Sequence, residues 1–327
     1  MKKFKKNSIW AFGVLIVLIY SCYSCNKEEN KIIEEETNNA ISVNSDFFLT
    51  DGNNVTITTV DCTLSDGTVT KCYEIVSKNT PTDHEMGPWC PDNIADGADK
   101  GGIWLENGEV YDVDGTFIKN MATFYNDSKW KMYDANGDIY TTETEDDCAN
   151  AANPNVGVEY ENFCVECLPS YVTDLSQTYT IPVTPVKLSS EVNFGGPGPG
   201  SNGPSQRGIA FNGVVFDAPA PTDAILGAYT LAPFDDAGGH INLNAGYHYH
   251  AATGVSKEIV QTDGHAPMIG YAIDGHGLYA QLDEDGNEPT DLDSCRGHSD
   301  ETRGYHYHVA APGTNSFIDC LKGAYAL

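Results

Sequence analysis

Basic residues are scarce in this chain: 18 lysines and arginines stand against 47 aspartates and glutamates among 327 residues, a formal charge of −29. Four of the 18 are Lys2, Lys3, Lys5 and Lys6, so the rest of the chain is more acidic still. A surface so poor in cations cannot neutralise phosphates, which excludes nucleic acid as a partner. The acidity itself serves solubility, and dispersed carboxylates would also suit calcium. Long apolar runs are lacking too. The uncharged stretch Ile9 to Tyr20 follows a basic start and is too short to span a bilayer as a helix, so it reads as a signal-peptide core. Helical periodicity is rare, with Asp146 to Ala152 the one helix the sequence suggests. Short runs of Val, Ile, Thr, Tyr and Phe are punctuated instead by Asp-Gly, Asn-Gly and Gly-Gly, in Gly108 to Gly115, Lys131 to Gly137 and Ile209 to Phe216. That pattern predicts a mostly β chain, or α+β with few short helices, around a sandwich- or barrel-like core.

Cysteine is not scarce, and its placement sets the compartment. The apolar run ends at Ser21-Cys22-Tyr23-Ser24-Cys25, which resembles a bacterial lipoprotein cleavage site. Cys25 is the expected lipidated N-terminus, because Lys27-Glu28-Glu29 resembles a surface-export signal; Cys22 is the alternative. The segments expected are a signal peptide over 1–24 and a polar, disordered tether over 25–45. An N-terminal β-rich region follows over 46–190, then a Gly/Pro-rich linker or loop over 191–206 and a last domain over 207–327. The expected location is the outer membrane, facing outward, with the membrane itself as a partner through the acyl anchor. Eight cysteines remain, an even number in an exported chain, which predicts four disulfides. Cys62 and Cys72 lie equally far from Gly67 in a hairpin pattern, so they are expected to face each other and pair. Cys295–Cys320 is the second expected bridge, leaving Cys90, Cys148, Cys164 and Cys167 to pair among themselves. Cys164-Val165-Glu166-Cys167 alone is a weak redox or zinc signal.

Histidine is rare, nine in all, yet four of the nine occupy two copies of GYHYH, Gly246 to His250 and Gly304 to His308. A Gly-His pair precedes each copy by the same spacing, Gly239-His240 and Gly297-His298, so three histidines recur at an offset of 58 residues. Aromatic-rich Tyr-His-Tyr-His favours a strand. On a strand His248 and His250 share one face, and Tyr247 and Tyr249 the other. Two imidazoles on one face, joined by a third from the preceding loop, suit copper or zinc. The expectation is that the two faces meet, so that His248, His250, His306 and His308 bind one ion, or two ions with help from His240 and His298. His265 is a further candidate ligand, and Asp274, at the end of an uncharged run, a candidate base or orienting carboxylate. The competing reading makes the repeat a buried hydrogen-bond network, its motifs far apart and each imidazole capped by a carbonyl or tyrosine.

The two GYHYH motifs, His265 to Gly275, Leu292 to Cys295 and Phe317 to Cys320 together resemble the YHYH-domain proteins. Ile209 to Phe216 and Asn79 to His84 extend the likeness, which runs from about residue 75 to the end. The resemblance implies export and a shared architecture. His276-Gly277 departs from the family, which has a bulky apolar residue and then proline after Asp-Gly. Three functional versions stay open: an enzyme using metal-bound water or redox copper, a module that captures metal or a small ligand, and a glycan-binding or adhesion module with an aromatic platform.

Overall fold

The computed structural model describes residues 40–152, 155–195 and 203–327. The signal peptide, Cys22, Cys25, most of the tether and the middle of the Gly/Pro-rich stretch lie outside these residues. What is described belongs to one compact unit spanning Asn38–Leu327. It is mostly β, with several sheets, four disulfides and three helices: α1 Gly115–Phe124, α2 Glu145–Ala151 and α3 Thr222–Gly227. α2 lies where the sequence suggests a helix, started by a capping box between Thr144 and Asp147. α1 is an addition: Asp114 caps it, and only Gly115, Ile118 and Met121 are buried, too short a stripe to stand out as periodicity.

The N-terminal hairpin pairs β1 (Val55–Thr63) with β2 (Val69–Ser77), and β3 (Gln177–Pro182) adds to its far side. Gly67 takes the positive φ of a three-residue hairpin loop, so the strands pivot about Asp66. Cys62 therefore faces Thr70, and Cys72 faces Val60. The Cys62–Cys72 bridge forms diagonally across the pair, with Cα atoms 5.9 Å apart, rather than between directly opposed residues. The other bridges are Cys90–Cys164, Cys148–Cys167 and Cys295–Cys320.

Eight short strands make the large sheet: β4 Gly208–Ala210, β5 Val215–Phe216, β6 Gly239–Asn242, β7 Gly246–Tyr249, β8 Met268–Ala272, β9 Gly277–Tyr279, β10 Gly297–Asp300 and β11 Gly304–His308. Their order is β6-β7-β5-β4-β8-β9-β11-β10. The sheet has two edges, so no barrel closes. The order is a palindrome, and so are the directions. β6/β7 and β10/β11 are antiparallel hairpins, β7/β5 and β11/β9 parallel pairs, and β5/β4 and β9/β8 antiparallel. Two four-stranded halves thus meet where β4 pairs with β8 around Ile209 and Tyr271. Gly208 and Gly270 occupy matching places there, and each is demanded by close approach. A Cβ on Gly208 would sit 2.4 Å from the Tyr271 carbonyl oxygen, and one on Gly270 would sit 2.2 Å from that of Ile209.

Candidate metal centres

Each GYHYH hairpin is built by the same local devices. Asp235 Oδ1 accepts the backbone N–H of Ala237 and Gly239, and Asp293 Oδ1 accepts those of Cys295 and Gly297. These turns launch β6 and β10. Gly246 and Gly304, at φ of +77° and +62°, make the return turn. In the register that follows, His240 lies opposite His248, and His298 opposite His306. Opposed residues share a face, so His250 and His308, two residues further on, join their pairs. The glycine before each first histidine makes room for a tyrosine on the opposite face. A Cβ on Gly239 would approach Tyr247 to 2.5 Å, and one on Gly297 would approach Tyr305 to 2.1 Å.

Two clusters result, His240-His248-His250 and His265-His298-His306-His308, in each of which the ligand nitrogens lie within 4.8 Å of one another. His265 joins the second from the segment before β8. The Nδ1–H groups of His248 and His306 donate to the Gly246 and Gly304 carbonyls at 2.9 Å. Those of His250 and His308 donate to Ala218 and Ala280, at 2.7 and 2.9 Å. His265 uses the Ala266 carbonyl, and His298 the Asp291 carboxylate. A carbonyl or carboxylate oxygen can only accept here, so each of these rings carries a proton on Nδ1, and in its neutral form turns a bare Nε2 lone pair inward. Partners of this kind orient metal-ligating imidazoles. His265 and His306 present Nε2 atoms 3.0 Å apart, and His298 and His308 3.2 Å apart. The edge of a tetrahedral zinc site with bonds of about 2.0–2.1 Å is about 3.3 Å. In the first cluster His250 Nε2 is buried with no hydrogen-bond partner. Burial pushes His240, His248, His250, His265, His306 and His308 toward the neutral form, His306 down to about 4 and His308 to about 3, with His240 and His250 well below the usual value.

The two motif faces do not meet. Four strands separate β7 from β11, roughly 24 Å along the sheet at the usual strand spacing. A single ion shared by His248, His250, His306 and His308 is thereby excluded, and the histidines assemble as one group per motif. Half of the structural-network condition is met, since the motifs are apart and Nδ1 is capped on a carbonyl in all four motif histidines. The Nε2 atoms are not capped in that way. Asp274 is corrected too: it touches none of the clustered histidines and instead accepts the His276 N–H, the Gly323 N–H and the Tyr307 hydroxyl. A third possible ligand set, Glu191 with Cys295 and Cys320, has its sulfurs committed to a disulfide. Among the described residues none of the candidate sets consists of carboxylates alone, so calcium has no counterpart to the histidine clusters.

A family model described as YHYH protein matches residues 178–291. The chain carries a YHYH domain. No curated protein and no solved structure matches it. The matched region contains the first GYHYH copy and stops short of the second, whereas the palindromic sheet puts both copies in one YHYH architecture.

The tyrosine faces of the YHYH hairpins hold the two remaining histidines. Tyr247 donates to both oxygens of buried Asp235, at 2.9 and 2.8 Å, and Tyr305 donates to Asp293 at 3.1 Å. Asn212 donates to the Tyr249 hydroxyl, and Tyr307 donates to Asp274, both at 2.7 Å. Asn212-Gly213 and Asp274-Gly275 occupy equivalent turns of the two halves. His84 stands 3.4 Å from both Tyr247 and Tyr249 hydroxyls, oriented by Asp83 at 2.9 Å. Burial raises the Asp83 carboxyl, but His84, Asn212 and the Lys257 N–H outweigh it and bring it to about 2. His276 lies 3.2 Å from Asp274 in the other half. Asp235 and Asp293 were open to detection from sequence, because they extend the repeat upstream at the same 58-residue offset. Asp83 and Asn212 carry no comparable spacing signal.

Proposed function

We propose that the YHYH domain holds transition-metal ions, copper or zinc, at two separate histidine clusters. The carrying observation is the pair of inward Nε2 contacts in the second cluster, His265 to His306 and His298 to His308, at 3.0 and 3.2 Å. Two lone pairs so close repel unless a cation lies between them. A shared proton is disfavoured where burial holds His306 and His308 at about 4 and 3. A metal ion satisfies all four nitrogens at once. Four protein ligands leave no open position, which favours holding the ion over metal-centred catalysis. The tyrosine faces are the structural half of the motif. We further propose that the protein is a lipoprotein tethered by an acyl group on Cys25, on the strength of the basic start, the short apolar run and the Ser24-Cys25 junction.

The test is elemental analysis of full-length protein purified without a nickel column, followed by zinc titration of the stripped protein. Bound transition metal, with affinity lowered at least tenfold by His308→Ala, is the expected result. Stripped protein that neither binds zinc nor gains thermal stability from it would refute the reading.

A further inference from the structure

The two clusters occupy equivalent places in the two halves, yet they differ in ligand number and in the charge around them. The second has four imidazoles. Its His298 donates to Asp291, and Asp300 and Asp263 stand beside it, both ion-paired to Arg303. Three carboxylates and one guanidinium leave a net charge of −2 around the site, which matches a dication. The first has three imidazoles and no fourth histidine among the described residues. Its ring centroids form a near-equilateral triangle of 4.8, 4.9 and 4.8 Å. Beside that triangle the Phe234 ring packs on His240 and His250 at 4.9 and 5.2 Å, with no donor atom to offer. The charged side chains acting on these rings are Asp217 and Arg207, which oppose each other.

Desolvating a dication costs about four times as much as desolvating a monocation of the same size, and a net-neutral, carbonyl-capped pocket gives nothing back. Zinc on three imidazoles also needs a fourth donor such as water, and the Phe234 ring packed beside this triangle offers none. A cuprous ion carries one charge and is satisfied by three nitrogens. Resting on the metal-binding reading above, we infer that the clusters are selective for different ions: His265-His298-His306-His308 takes a divalent ion, and His240-His248-His250 takes copper in the cuprous state. The two halves of the YHYH sheet thus form a mixed pair of sites, with copper at the first held against oxidation.

The experiment is an anaerobic two-stage titration of the stripped full-length protein, zinc first and then Cu(I) supplied from a bicinchoninate buffer. One equivalent of zinc is expected, weakened at least tenfold by His298→Ala and unchanged by His240→Ala. One equivalent of Cu(I) should then bind without displacing zinc, and His240→Ala should abolish it. A second zinc equivalent of similar affinity, or a Cu(I) equivalent that survives His240→Ala, overturns the selectivity while leaving metal binding intact. Failure to bind either ion overturns the metal reading itself. X-ray absorption on the unsubstituted, doubly loaded protein guards against misfolded variants: three nitrogens around Cu(I) support the assignment, and copper bound with four nitrogen or oxygen ligands refutes it.

Discussion

His306 and His308 stay neutral down to about pH 4 and 3 because burial penalises the imidazolium more than the Nδ1–H bonds to Gly304 and Ala280 favour it. In the unfolded chain the same rings titrate near 6.5. Between those values the unfolded state binds more protons, so folding stability rises with pH there and falls as the solution is acidified. The imidazole contribution is complete above about pH 6.5 and is lost on the way down to pH 4. Urea midpoints of metal-free protein should therefore be level from pH 8 to 7 and drop clearly by pH 5. Each buried ring accounts for on the order of 1–3 kcal/mol. Carboxylates titrate mostly below that window, so a flat profile from pH 7 to 5 would mean that the rings are not buried bases.

The hairpins show what local pattern can and cannot say. Disulfide stabilisation grows with the loop that the bridge closes, giving about 3 kcal/mol for Cys62–Cys72 and about 4.5 kcal/mol for Cys90–Cys164 in the chain-entropy account, at sequence separations of 10 and 74 residues. The double variant Cys90→Ser/Cys164→Ser should accordingly unfold at lower urea than Cys62→Ser/Cys72→Ser; the opposite ranking would point to native-state packing as the larger effect. The Cys62–Cys72 pairing was legible because both residues flank one turn. Their register was not, because it turns on which loop residue takes the positive φ. The same divide runs through the candidate site. Period-two alternation places His248 with His250 and His306 with His308, and the repeat adds His240 and His298. How many strands separate two hairpins is a matter of sheet order, which alternation does not encode. Asp274 was misplaced for a related reason: a carboxylate at a strand end can serve either face, and this one serves the tyrosines.

At the scale of the whole molecule, the acidic surface and the N-terminal cysteines bear on where the YHYH domain works. If Cys25 carries the lipid, Cys25→Ser should release the protein from the membrane fraction and Cys22→Ser should leave it there; the reverse would move the mature start to Cys22. The palindromic sheet carries a different consequence. Either half alone would end in an open edge, β4 or β8, whose natural complement is another molecule of the same kind. Joining two such molecules head to head in one polypeptide seals both edges, and Gly208 and Gly270 are the paired seams. The arrangement is what gene duplication and fusion of a symmetric dimer would leave behind. Fusion would also free each half to change separately, and the halves do differ: His265 joins one cluster, while Phe234 packs against the other. Two halves on one plan thus carry two unlike histidine clusters.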